Sequence, residues 1–187
     1  MSEQGLDLRR VVGAADHALL AWLWQVFRHD LAVVVEGRPY ADGRYSTTGL
    51  PTAADPDVAA YVVREPHPKT GEAAPVGFVV LDGLAAGRIH VAAAWVSPVV
   101  RRGGLGARMV TGALERHPGS WSVAWQHENA AAGRFWRRLA DELHGPGGWR
   151  EERVAVPRPD APADHRIVPL ALGGPSRRGG RSQATGE

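Results

Sequence analysis

Arg101-Arg102-Gly103-Gly104-Leu105-Gly106 stands between an apolar run, Ile89-His90-Val91-Ala92-Ala93-Ala94-Trp95-Val96, and a segment of helical character from Leu105 to Arg116. A strand that ends in a Gly-rich turn and feeds directly into a helix leaves several backbone N–H groups unpaired. They aim at one spot, where the helix dipole also favours negative charge. The order strand, turn, helix predicts a cradle for a pyrophosphate-like anion. Taken alone, the glycines fit an ordinary strand-to-helix turn equally well.

The surrounding sequence alternates elements. Ala15, Leu19, Leu20, Trp22, Leu23, Val26 and Phe27 recur at three- and four-residue spacing, predicting an amphipathic helix from Ala14 to about Phe27 whose end carries Arg28-His29-Asp30. Gly37, Pro39, Gly43, Gly49 and Pro51 make the stretch between Glu36 and Pro56 a long loop. Strands are predicted at 59–64, 75–81 and 88–96, an antiparallel set leading into the glycine turn. The helix that follows closes at His117-Pro118-Gly119. A strand at 120–126, a helix at 130–143 and a last strand at 149–156 complete the series. Strand, helix, strand around one glycine turn implies a parallel pair joined by a right-handed crossover.

Length and composition bound the class. The chain has 187 residues, 44% of them hydrophobic and 22% charged, which is ordinary globular usage for one domain. It has no cysteine, so disulfides, thiolate metal sites and cysteine nucleophiles are excluded. No signal-peptide pattern opens the sequence, and no apolar run reads as a spanning helix, so a cytoplasmic protein without a membrane partner is expected. We expect a flexible N-terminus at 1–13, a single domain at 14–171 and a disordered Arg/Gly-rich tail at 172–187. Arg177, Arg178 and Arg181 in that tail are read as solvated, with a nucleic acid or other polyanion as the lesser alternative.

With Val96-Ser97-Pro98 ahead of it, the glycine turn resembles the first signature of the GNAT superfamily of N-acetyltransferases, which carry an acetyl group from acetyl-CoA to an amine. Asn129-Ala130-Ala131-Ala132-Gly133-Arg134-Phe135-Trp136 resembles the second. The likeness covers about Ala14 to Val156 and is strongest to a subgroup of uncharacterised predicted bacterial acetyltransferases. It implies an α/β fold with a mixed, mostly antiparallel central sheet flanked by helices, and two parallel strands that splay apart at the acetyl-CoA site.

The resemblance also implies site residues. Arg101, Arg102, Gly103, Gly104, Leu105 and Gly106 would hold the CoA pyrophosphate. Ala94, Trp95 and Val96 would line the slot for the pantetheine arm and thioester, with Asn129 and Trp136 beside it. Asn129 is also a good N-cap for its helix. A backbone N–H aimed at the thioester carbonyl would stabilise the tetrahedral oxyanion. Where many relatives carry a proton-transferring glutamate or tyrosine, this chain has Ala93, Ala124 and Trp136. His127 and Glu128 are the candidate proton carriers in their place, a histidine having the right basicity; His90 is a weaker one. Asp30, Glu36 and Tyr45 fall where the superfamily builds its acceptor pocket, the alternative for Asp30 being a cap or a pair with Arg28. Trp95 and Trp125 are read as core or as walls of that pocket. The implied reaction uses acetyl-CoA and no metal on a small-molecule amine, in a monomer or homodimer. A CoA-binding module without turnover and a protein or peptide acetyltransferase are the alternatives.

Overall fold

A computed structural model describes residues 5–52, 55–156 and 162–170. Its strands are β1 (Asp7–Arg10), β2 (Ala59–Pro66), β3 (Ala73–Asp82), β4 (Arg88–Val96), β5 (Ser120–Trp125), β6 (Trp149–Val154) and β7 (Asp164–Pro169). Its helices are α1 (Ala14–Val35), α2 (Leu105–Leu114) and α3 (Ala130–His144). The sheet runs β1-β2-β3-β4-β5-β7-β6. Every neighbouring pair is antiparallel except β4 and β5, the two strands that flank the α2 crossover. This is the mixed, mostly antiparallel α/β architecture implied by the resemblance.

Each sheet face has its own core. Ile89, Val91, Trp121, Val123 and Ile167 pack with Met109 and Val110 of α2 and with Trp136 and Leu139 of α3. On the other face Ala60, Val62, Phe78, Val80, Ala93 and Trp95 pack under Leu20, Leu23 and Trp24 of α1. Phe78, fully buried, anchors this second core with Trp24, Phe27 and Trp95, at ring-centroid distances of 5.8, 5.7 and 6.2 Å.

β4 contributes to both cores because it is irregular. Val80 stands opposite Ala93 and Leu81 opposite Val91, so Ala92 is one residue too many for its partner strand. A bulge of this kind switches which face the following side chains point to. Before it, Ile89 and Val91 face α2 and α3; after it, Ala93 and Trp95 face α1.

Four expectations need correction. The segment 1–13 is not wholly flexible: Asp7–Arg10 pairs with β2 and buries Leu8, a single apolar anchor too little to announce a strand. α1 continues past Arg28-His29-Asp30 to Val35 and stops where Glu36 turns left-handed, at φ 51°. α1 is 22 residues long and holds an 18-residue window of mean hydropathy 1.3, which by length and composition is enough to cross a membrane, contrary to the sequence reading; Leu20, Leu23 and Trp24 nevertheless bury against the sheet. Finally, β6 is not the last strand. β7 was not foreseen, because Ile167 is its one buried residue, and it inserts between β5 and β6. The expected tail at 172–187 lies outside the described residues.

Two measurements test this packing. Phe78→Ala empties the middle of the aromatic cluster and is expected to cost about 3–5 kcal/mol, read as a lower urea midpoint with unchanged slope. Arg137 donates two hydrogen bonds, 2.7 and 2.9 Å long, to Glu151, tying α3 to β6. These bonds, with help from His165, hold the Glu151 carboxyl below its usual range. A depressed carboxyl stabilises the fold above its unfolded-state value and loses that contribution as pH falls through the depressed one. Glu151→Gln is therefore expected to lower the Tm at pH 7, and the gap to the parent protein should close as the pH is taken below about 4.5.

Candidate functional site

Pairing between β4 and β5 runs from Arg88 opposite Ser120 to Val91 opposite Val123 and then stops. β4 continues to Val96 and β5 to Trp125, while the opposite edge of β5 pairs with β7 from Val123 onward. The strands separate one residue before the β4 bulge completes its change of face. Among the described residues, the β4 edge that faces β5 has no strand partner from Ala92 to Val96.

The glycine turn follows the end of that edge. Arg102 and Gly104 both adopt left-handed backbone, at φ 74° and 75°. For arginine this conformation is unfavourable by about 1–2 kcal/mol, so the turn is held in shape by its surroundings. Gly104 caps α2 and, as a glycine, offers no side chain to its first-turn amides. A Cβ on Gly106 would sit 3.5 Å from Phe135 of α3 and 3.6 Å from Val96 of β4. The start of α2, the free end of β4 and α3 thus meet at one point.

The expected cofactor residues divide between the faces. Ala94 and Val96 are partly buried against the α2 and α3 core, while Trp95 points to α1. The Trp95 indole N–H donates to Asp30 Oδ2 at 3.1 Å, and the same oxygen takes an ion pair from Arg101. Arg101 Nε also donates to the Val96 carbonyl at 2.8 Å. Arg101 therefore turns back from the cradle to brace β4 against α1, and Asp30 pairs with it rather than with Arg28. Asn129 caps α3, its Oδ1 accepting from Ala132 N–H at 3.1 Å. Trp136 is buried in the core beside Phe135, ring centroids 4.7 Å apart.

Trp125 and Trp95 do not share a pocket. Trp125 lies on the α3 face, stacked in parallel on His165, which is stacked in turn on His127, with 5.3 Å between successive ring centroids. His127 Nδ1 is 3.0 Å from His165 Nε2, and Arg153 reaches both rings, at 3.4 and 3.0 Å. The far nitrogen of His165 bonds Glu151. His165, Arg153 and Glu151 escaped the sequence reading because β7 was not recognised as the strand that carries His165 next to β5. Glu128 stays exposed in the turn ahead of α3.

Tyr45 is held on α1, away from Asp30. Its backbone exchanges two hydrogen bonds with the Gln25 side chain, of 2.7 and 3.1 Å, and its hydroxyl meets His29 Nδ1 at 3.1 Å. It borders a shallow cleft of about 150 Å³ lined also by Arg28, Leu31, Arg38 and Tyr40. Glu36 forms only the C-terminal cap of α1. Among the described residues no group of three His, Asp or Glu side chains is arranged to hold a metal ion.

No family model and no curated relative matches the chain. Solved structures do. Arabidopsis thaliana NAA60 in complex with acetyl-CoA aligns with 88% of this chain and 97% of its own, at a TM-score of 0.56 and 10% identity. The ribosomal-protein-S18-alanine N-acetyltransferase from Escherichia coli aligns with 90% of this chain and 97% of its own, at a TM-score of 0.53 and 14% identity. The chain has the fold of these N-acetyltransferases over nearly its whole length.

Proposed function

We propose that this protein is an acetyl-CoA-dependent N-acetyltransferase whose acceptor is the amine of a small molecule. One observation supports the reading: β4 and β5 stop pairing after Val91 and Val123, and the unpaired end of β4 leads into a turn with left-handed Arg102 and Gly104; we read the gap as a slot and the amides of Arg102–Gly106 as its anion cradle. A pyrophosphate seated on those amides directs an extended pantetheine arm into the slot, past Ala94 and Val96. A backbone N–H of β4 then faces the thioester carbonyl and stabilises the oxyanion as it forms. Asp30, held by Arg101 and Trp95 on the opposite face, places a carboxylate near the point where a cationic amine arrives. Acetyl transfer occurs by direct attack in a ternary complex, because cofactor and acceptor enter from different faces of the sheet.

A protein amine is the second reading, favoured by the fold shared with the enzyme named for the alanine of ribosomal protein S18. Thiol release from acetyl-CoA separates the two readings: tyramine, tryptamine, phenethylamine and spermidine are assayed beside peptides with free N-termini. Release with the small amines alone is expected. Release with peptides alone favours the second reading, and release with none refutes both.

Cofactor binding is read independently. Acetyl-CoA at 100 times its Kd is expected to raise the Tm by about 5–10 °C, from about 2.7 kcal/mol of linkage. Gly106→Leu, which extends a side chain into the gap between Val96 and Phe135, is expected to remove that shift and keep the fold. A full shift in the variant refutes the placement of the cofactor.

A further inference from the structure

Among the described residues, the strands that contribute to the α1-side core are β2, β3 and β4. Beyond β4 the same sheet face carries Ser122 and Ala124 of β5 and Arg166 of β7, all partly open to solvent. Side chains alternate along each strand, and directly paired residues share a face. Asp82 is paired with His90, and His90 with Ser122, so the three form a row across β3, β4 and β5. His90 Nδ1 is 3.2 Å from Ser122 Oγ. This row lies one residue pair before the strands separate. His90 is two residues, about 7 Å along the strand, from the bulge at Ala92.

We infer that His90 is the proton acceptor for the incoming amine, positioned by Ser122 at the root of the slot on the face open to the acceptor. The inference rests on the acetyltransferase reading. A thioester threaded from the α2 and α3 side presents its carbonyl carbon to the opposite face, where His90 stands. His127, by contrast, has its Nδ1 engaged by His165 and Arg153 in the stack with Trp125, on the α3 face.

The proton balance is complete without another reagent. The ammonium gives one proton to the His90 imidazole through water, and the freed lone pair forms the N–C bond at the thioester carbonyl. The C–S bond then breaks with its electron pair on sulfur, and the thiolate takes the second N–H proton. His90 returns its proton to solvent, so acetamide, free CoA thiol and one proton leave per turnover. A base must be neutral to act, and burial pushes His90 below the ordinary histidine range. The charged groups facing it are Asp82 from β3, which raises its basicity, and Arg166 from β7, which lowers it. Glu152 of β6 is the cross-strand partner of Arg166.

The test uses the full chain, saturating acetyl-CoA and whichever amine of the panel above releases most thiol. His90→Gln is expected to lower kcat/KM by about 100-fold or more while the thermal shift with acetyl-CoA persists. Asp82→Asn is expected to move the acid limb of the pH profile to lower pH, and Arg166→Gln to higher pH. Opposite displacements of one limb are not produced by a merely structural role, and they decide the matter even if His90→Gln folds poorly. A His90→Gln rate within twofold of the parent, or a limb that neither charge variant moves, overturns the assignment of His90. A parent protein that releases no thiol with any amine overturns the acetyltransferase reading instead.

Discussion

The site depends on one extra residue in β4. Two parallel strands that stay bonded along their length leave no passage between them, and the α2 crossover would then end in a closed sheet. Here Ala92 interrupts the register with β3, and the pairing with β5 ends beside it. The bulge also changes which residues meet which core, so that Trp95 points to α1 while Ala94 and Val96 remain under α2 and α3. A strand freed on one edge exposes backbone N–H and C=O groups, which in a sheet interior is unfavourable unless something bonds them. In the proposed acetyltransferase, a ligand with its own amides and a thioester carbonyl meets that requirement.

Keeping the free end of β4 in place needs a second device. Arg101 supplies it by reaching the Val96 carbonyl and Asp30 together, while the Trp95 indole fixes the other side of the Asp30 carboxylate. The Arg101 and Asp30 side chains are 43% and 35% exposed, so their attraction is worth no more than about 1 kcal/mol. Its importance is geometric. It joins the last residue of β4, the turn and α1 at one carboxylate, and leaves Arg102, in its left-handed conformation, as the arginine that faces outward at the cradle.

The glycine turn and the Asn129 cap are more legible in the sequence than the rest of this arrangement. Turn chemistry is local: Arg101 to Gly106 announces itself by glycine spacing and by the elements on either side. Asn129 likewise is recognisable as a cap from its neighbours. The bulge is not local. Ala92 sits among three alanines, and only the register with Val80 and Leu81 shows that one of them is supernumerary. The contact of Arg101 with Asp30 is equally non-local, since the two are 71 residues apart. β7 is hard to read because Asp164-His165-Arg166-Ile167-Val168-Pro169 buries a single residue, Ile167, and shows no clear alternation. With it goes the stack of Trp125, His165 and His127, in which two histidines from distant segments meet.

Those two histidines show why chemistry at this site turns on faces and not on proximity in sequence. His127 lies two residues from the end of β5 and looks well placed on a linear map, yet its ring belongs to the α3 side, where Arg153 and His165 already use its nitrogen. His90 lies more than thirty residues away from it and faces the other way, beside Ser122 at the last rungs of the parallel pair. Alternation along the strands determines this, and the bulge limits it: had Ala92 come before His90 instead of after, His90 would have turned into the α2 and α3 core, and the open face would carry no imidazole. In the proposed reaction, the sheet that divides cofactor from acceptor thus also decides which of several nearby ionisable groups can take part in proton transfer.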